Sequence, residues 1–180
     1  MNTTDVRIEA ERPEQAHAIR TVVQAAFVNE PKVADLVEAL RASTSYVPEL
    51  ALVALAGDEV VGFVMLSHAE TVEENGTAHR VLSLSPLAVA PDRQRQGVGG
   101  LLVRRALELA DQRTEPLVLL EGAPEYYPRF GFRPASSAGI VFDLPDWAPP
   151  EAGMLYRLAR YDPSIRGRVR YPPAFRVLEG

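Results

Sequence analysis

Gln94-Arg95-Gln96-Gly97-Val98-Gly99-Gly100 is the stretch on which the reading of this chain turns. It follows an apolar run, Val81 to Val89, that predicts a strand, and it precedes an amphipathic run, Leu101 to Ala110, that predicts a helix. The first N–H groups of a helix have no intrahelical partner and carry a partial positive charge. Glycines let such a backbone approach an anion closely and take positive φ. A strand, a glycine-rich turn and a helix start therefore point to a phosphorylated ligand. A Walker-type loop is excluded, because it needs Gly-Lys and the only lysine is Lys32. A dinucleotide fingerprint is excluded too: Gly97 and Gly99 fit, but the third glycine position holds Leu102.

Upstream, Thr4 to Ala10 alternates apolar and charged residues as a strand does. Pro13 suits the first turn of a helix in which Ala16, Ile19, Val22, Val23, Ala26 and Phe27 recur at helical spacing. A break at Asn29-Glu30-Pro31 leads to a shorter helix with Val33, Leu36, Val37 and Leu40 on one face. Leu50 to Ala56 and Val60 to Ser67 flank Gly57-Asp58 and predict a hairpin. Glu73-Glu74-Asn75-Gly76 marks another turn before a strand over Ala78 to Val89. In the glycine-loop helix Leu101, Leu102, Ala106, Leu109 and Ala110 are expected inward.

Downstream, Leu117 to Glu121 reads as a buried parallel strand and Pro124 to Phe130 as a helix carrying two tyrosines. Strands are expected near Ile140 to Leu144 and Met154 to Arg160, separated by the proline-rich Pro145 to Pro150. The order β-α-α-β-β-β-α-β-α-β-β fits a mixed α/β (α+β) sheet with helices on both faces. Tyr161 to Gly180, with Arg166, Arg168, Arg170 and Arg176, is expected as a solvated edge strand packing Tyr171 and Phe175 on the core; the alternative is a lining for an anionic ligand.

A chain of 180 residues is long enough for one domain with a sizeable core. The absence of cysteine excludes disulfides, thiolate metal sites and a cysteine nucleophile. His17, His68 and His79 are not at metal-ligand spacing, so no metal is expected. A net charge of −5 argues against nucleic acid as a partner. Met1-Asn2-Thr3-Thr4-Asp5 has neither a basic nor an apolar leader region, and no apolar run reaches membrane-spanning length. A cytoplasmic protein with no membrane partner is the expectation.

Gln94-x-x-Gly97-x-Gly99 resembles the acyl-CoA pyrophosphate loop of the GNAT N-acetyltransferase superfamily. Tyr126-Tyr127-Pro128-Arg129-Phe130-Gly131-Phe132 resembles the same superfamily's Tyr…Gly-Phe signature. Ser85-Pro86-Leu87-Ala88-Val89-Ala90-Pro91, Pro124 to Tyr127 and Tyr171 to Phe175 are similar to its YhbS-like branch. Two departures are Ser85, where that branch often has glycine, and Glu121-Gly122-Ala123 before Pro124. The resemblance covers nearly the whole chain and is densest from Leu84 to Arg133.

It implies a GNAT-type mixed, mostly antiparallel twisted sheet with helices on both faces and an acyl-CoA cleft between two splayed central strands. It implies an acetyltransferase domain over residues 1–160, with 161–180 as a C-terminal tail packing on the same domain. It implies transfer of acetyl from acetyl-CoA, as co-substrate, to a primary amine by direct attack in a ternary complex. Lack of cysteine is consistent with direct attack. The acceptor is expected to be a small-molecule amine or a protein amine, and a homodimer is left open.

For the site, the resemblance implies that Gln94, Arg95, Gln96, Gly97, Val98, Gly99 and Gly100 hold the pyrophosphate. It implies that Leu87, Ala88 and Val89 pair with the pantetheine amides, the Val89 N–H facing the thioester oxygen. Pro86 cannot donate, so strand pairing is expected to falter there. Counting back from Gly131 as in the family pattern, the resemblance selects Tyr127, not Tyr126, as general acid, and a phenol near pKa 10 is within reach of a thiol at about 8.5. Glu30, His68, Glu70 and Glu121 remain candidate bases, with a water ordered by Ser83 or Ser85 as the preferred alternative. Phe27 to Lys32, His68 to Gly76 and the Trp147 loop are expected to shape acceptor choice. A non-catalytic acyl-CoA sensor or partner-binding module is the competing function. An acetyltransferase acting on RNA or a basic protein is a third, which the acidic balance disfavours for RNA.

Overall fold

The computed structural model describes residues 5–179; Thr4, placed at the start of the first strand by the alternation, lies outside them. The chain gathers into two compact units, and three elements begin in one and end in the other.

The first unit holds the described residues up to Ser67, then Ser85–Leu109 and the chain from Pro173. Here β1 (Val6–Ala10) pairs antiparallel with β2 (Tyr46–Ala56), and β2 with the first part of β3 (Glu59–Val72). Ala56 faces Glu59, so the hairpin loop is the two residues Gly57-Asp58, with Gly57 at φ +63. Glycine at positive φ in the first loop position suits the right-handed twist of paired strands. A register shift between Tyr46 and Ala51 brackets Pro48, which has no N–H to give the ladder.

Pro13 opens a 3₁₀ turn that runs into α1 (Ala16–Ala26), and Pro31 precedes α2 (Lys32–Arg41). Ile19, Val23, Leu36 and Leu40 from these helices pack with Ala51, Val53, Leu55, Phe63 and Met65 from β2 and β3. Phe175 and Val177 of the C-terminal turn join that cluster. At the end of α2, Arg41 bonds Glu11 at 2.5 Å and Glu38 at 3.0 Å. The Tyr46 hydroxyl donates to Glu11 at 2.7 Å. A cation at a helix C-terminus thus ties the helix to the strand ends beneath it.

α3 (Val98–Asp111) lies against Gly62 of β3, where a Cβ would stand 2.9 Å from Leu102 and 3.2 Å from Val98. It begins three residues before the predicted Leu101, because the Gly97 carbonyl already accepts the Leu101 N–H at 3.1 Å. Its buried face is Leu102, Val103, Ala106, Leu107 and Ala110; Leu101 and Leu109, expected inward, are half-buried.

The second unit holds His68–Leu84 and Ala110–Pro172. The turn at Glu73 to Thr77 leads into β4 (Ala78–Val89), which pairs parallel with β5 (Leu117–Glu121) at Leu82↔Val118 and Ser83↔Leu119. β5 pairs antiparallel with β8 (Gly153–Arg157), and β8 with the two-residue β6 (Arg133–Pro134). β7 is Ile140–Val141, shorter than expected, and runs parallel to β9 (Gly167–Arg170). β9 also pairs antiparallel with Glu70 to Val72, so the predicted edge strand has a neighbour on each side.

The β3 strand extends to Val72, beyond the predicted Ser67, since Ala69 and Thr71 are buried while His68 and Glu70 are less so. Polar residues on the open side of a strand mask the alternation. Ala69, Val81, Leu117, Leu119, Leu155 and Val169 form this unit's core, with Tyr161 and Tyr171 packed against it.

Candidate active site

The glycine stretch forms a turn rather than an extended loop. A 3₁₀ turn at Pro91–Arg93 is followed by Gln94, then by Arg95 at φ +62 and Gly97 at φ +87. Two left-handed residues within three positions reverse the chain into the helix; the one at Arg95 is a conformation that side chains other than Gly, Asn or Asp rarely adopt. The N–H groups of Val98, Gly99 and Gly100 then fall in the first turn of α3, ahead of the first intrahelical bond from Leu101. Gln94, Arg95, Gln96 and Gly97 are exposed, Gly99 and Gly100 half-buried, and Val98 buried.

The side chains divide by role. Gln94 Nε2 donates to the Val89 carbonyl at 3.1 Å and Gln96 Nε2 to the Asp92 carbonyl at 2.9 Å. Gln94 thus braces the turn against the end of β4, and Gln96 braces it against the 3₁₀ turn before it. Val98 is a hydrophobic anchor, so what it offers a ligand is its N–H. Arg93, outside the predicted set, is drawn to Glu59 at 3.6 Å. Ala88 is in the core beside β2 and β3, leaving Leu87 and Val89 half-buried on either side of it in β4. Pro86 is buried, its peptide bond with Ser85 is cis, and the strand continues through it.

In the second unit Tyr127 opens a 3₁₀ turn, Tyr127–Phe130, where the sequence predicted a longer helix. Pro128 and Gly131 leave room for no more: proline removes an N–H, and Gly131 at φ +102 caps the turn. The Tyr127 ring meets Tyr126 edge-on at 5.0 Å and Phe132 at 5.8 Å between centroids. Gly122 lies beneath it: a Cβ there would stand 2.5 Å from Tyr127 Cε2. Burial, with a smaller contribution from Tyr126, pushes the Tyr127 phenol up to about 12, so it stays protonated at neutral pH. Gly122→Ala is expected to displace this ring, visible as a changed near-ultraviolet tyrosine signal with the strand content unaltered.

The first unit thus presents a helix start with three N–H groups ahead of its first intrahelical bond, and the second a half-buried phenol. A model of the acetyltransferase (GNAT) family matches residues 16–132. The chain belongs to that family. It is 36% identical over 121 residues to YjhQ of Escherichia coli (strain K12), an uncharacterized N-acetyltransferase, the match covering 67% of this chain and 66% of YjhQ. The fold is similar to that of the Escherichia coli GNAT family N-acetyltransferase YhbS, solved in complex with CoA. The TM-score is 0.83 at 27% identity, over 95% of this chain and 92% of that one. A Brucella melitensis GNAT family acetyltransferase, solved with acetyl-CoA, is similar with TM-score 0.75 at 28% identity, over 94% and 97% of the two chains. The mixed, mostly antiparallel sheet with helices is thus a GNAT fold, as the motifs led us to expect.

The GNAT signature residues have plain physical work here. Gly131 allows the left-handed cap, and Phe132, 2% exposed, anchors the turn against Tyr156 at 5.5 Å. The candidate bases separate sharply. Glu30 is exposed in the break before α2. Glu70 is bound by Arg170 through bonds of 2.8 and 2.5 Å. Ser83 Oγ is buried and has no hydrogen-bond partner, while Ser85 is half-buried. Trp147 is 85% exposed in its loop. Among the described residues no group of three or more His, Asp or Glu could hold a metal, and no helix is long and apolar enough to cross a membrane.

His68 Nε2 lies 2.8 Å from Glu115 Oε1, and Arg113 donates to both oxygens of that carboxylate at 3.0 and 2.9 Å. Burial alone would raise Glu115, but Arg113, the backbone N–H and His68 outweigh it and hold the carboxyl at about 2, against an ordinary 4.5. A carboxyl depressed in the folded state contributes stability above its unfolded pKa, lost as pH falls through the folded one. Chemical denaturation between pH 4.5 and about 2 should therefore show a steep loss of stability. Glu115→Gln should flatten it by on the order of 3 kcal/mol.

Two contributors escaped the sequence reading. Gly122 directly follows the parallel strand, and its lack of a side chain is what admits the tyrosine ring. Tyr171 hydrogen-bonds Glu121 from 50 residues further along, which no local pattern announces.

Proposed function

We propose that this protein transfers an acetyl group from acetyl-CoA to a primary amine, by direct attack in a ternary complex. The carrying observation is the start of α3: three N–H groups ahead of the first helical bond, entered through left-handed Arg95 and Gly97. That arrangement suits a pyrophosphate, which the helix dipole favours. The bound CoA of YhbS and acetyl-CoA of the Brucella protein support the same ligand here.

In this reading the Arg95 to Gly100 backbone holds the pyrophosphate and Leu87 to Val89 the pantetheine arm, with the Val89 N–H polarising the thioester. The amine nitrogen attacks the carbonyl carbon, a C–N bond forms, the C–S bond breaks, and Tyr127 protonates the departing sulfur. Against a model thiol near about 8.5, a phenol near 12 makes that proton transfer uphill by roughly 5 kcal/mol. A thiolate released in a comparably dry setting is raised as well, which narrows the gap. The acceptor is a small-molecule or protein amine, and the protein works in the cytoplasm without nucleic acid.

Calorimetric titration with acetyl-CoA, with AMP as control, tests the reading. Saturable binding followed by amine-dependent release of free thiol is the expected result. Binding without thiol release from any amine would make the chain an acyl-CoA-binding module. No binding by the folded protein would remove the acyl-CoA site.

A further inference from the structure

Glu121 is the last residue of β5, and its neighbours are unlike those of any other acid weighed above. It directly precedes Gly122, the residue against which the Tyr127 ring packs. Its carboxylate accepts a hydrogen bond from the hydroxyl of Tyr171, in the segment after β9. Its strand partner is Gly153, which presents no side chain and is covered by Phe142: a Cβ on Gly153 would stand 2.6 Å from that ring. Glu121 is exposed to solvent at the end of an otherwise buried strand.

The contrast with its competitors is one of partner charge. Glu70 is neutralised by Arg170, and His68 is engaged by a carboxylate that Arg113 already neutralises. The hydrogen-bond partner of Glu121 is an uncharged phenol. Asp143 adds like charge, though Arg168 bonds Asp143. This environment leaves a carboxylate able to take up a proton and to attract a cation.

We propose that Glu121 receives the proton of the acceptor's ammonium group and that Tyr171 positions its carboxylate to do so. The inference rests on the acetyl-transfer reading. The acceptor R–NH3⁺ gives one proton to the Glu121 carboxylate and becomes R–NH2. The free amine attacks the thioester carbon, and the C–S electron pair leaves on sulfur, which takes the Tyr127 proton. The second nitrogen proton departs as the C–N bond settles and restores Tyr127. Glu121 returns its proton to solvent, so each turnover releases the amide, the free thiol and one proton.

Burial raises the Glu121 carboxyl above its usual range; the Tyr171 hydrogen bond opposes that and Asp143 adds to it. A raised carboxyl is better matched to base catalysis near neutrality. Since the ionised form is the active one, turnover falls as pH drops through this raised value. Removing the Tyr171 hydroxyl takes away stabilisation of the carboxylate, so that fall should move to higher pH.

The test follows thiol release from acetyl-CoA with putrescine, benzylamine and glycinamide across pH, alongside acetyl-CoA titration. Glu121→Gln should lower kcat/KM for the amine about a hundredfold near neutrality, leave acetyl-CoA affinity unchanged, and recover as pH rises and the amine deprotonates in solution. Tyr171→Phe should shift the acidic limb to higher pH, which loss of packing alone would not do. A Glu121→Gln profile matching wild type, or an unmoved limb in Tyr171→Phe, overturns the proposal.

If none of the three amines is turned over, the ¹³C carboxyl resonance of Glu121 decides. Its titration midpoint should fall on adding putrescine and rise in Tyr171→Phe; a midpoint unmoved by both overturns the proposal. Absence of acetyl-CoA binding by wild type would instead overturn the acyl-CoA reading, a separate outcome.

Discussion

Glutamate in place of Gly99 is expected to abolish acetyl-CoA binding without unfolding the protein. Gly99 lies in the first turn of α3 and is not among the residues at positive φ, so its backbone accepts a side chain. A carboxylate in a first helical turn is favourable to the helix, because it faces the same N–H groups and the same dipole end. For that reason it competes with a bound pyrophosphate. Two such charges about 4 Å apart near a protein surface repel by roughly 4 kcal/mol, which is about a thousandfold in Kd. Titration calorimetry should find no acetyl-CoA binding in a variant whose thermal transition is unchanged or slightly raised. Retained affinity would show that the turn is only a structural connection. Gly97 is a poorer place for the test: at φ +87 any side chain strains the turn, and lost binding there would have two causes.

Tyr127→Phe should lower the rate of thiol release about a hundredfold while acetyl-CoA affinity stays close to wild type. The substitution keeps the ring that packs on Gly122, Tyr126 and Phe132 and removes only the hydroxyl. Steady-state thiol release on an amine that wild type acetylates, together with calorimetry, separates chemistry from binding. An unchanged rate would leave Tyr127 as a packing residue like its neighbour Tyr126. With the phenol pushed up to about 12, the wild-type rate should also show no alkaline loss from Tyr127 until pH approaches that value.

The local parts of this protein were legible because they depend on short-range chemistry. Alternation and helical spacing marked β1, α1, α2 and the Gly57-Asp58 hairpin. Proline and glycine punctuation placed the helix start after β4. The glycine stretch and the Tyr126 to Phe132 segment together led to the GNAT family. Expectation and structure part where backbone geometry or distant pairing overrides local pattern. Gly99 and Gly100 looked like loop residues, yet one carbonyl at Gly97 draws them into α3. The segment after Pro124 carried helix-compatible residues, but prolines and a left-handed Gly131 confined it to a 3₁₀ turn. The tail is expected from sequence as a solvated edge strand packing Tyr171 and Phe175 on the core. β9 instead has partners on both sides, and its arginines are matched by Glu70 and Asp143.

The sequence by itself determined the order of elements, the turn that opens α3 and the family, since these rest on propensities, backbone freedom and spacing within some ten residues. Only the tertiary structure distinguishes the acids from one another. Glu30, Glu70, Glu115 and Glu121 are the same residue type with the same intrinsic pKa. What distinguishes them is which charge or hydroxyl folding brings to each: open solvent at Glu30, Arg170 at Glu70, Arg113 at Glu115, and the Tyr171 phenol at Glu121. Only Arg113 stands near its acid along the chain. Arg170 and Tyr171 come from residues 50 or more positions away, and contacts across that distance leave no periodic trace in the chain.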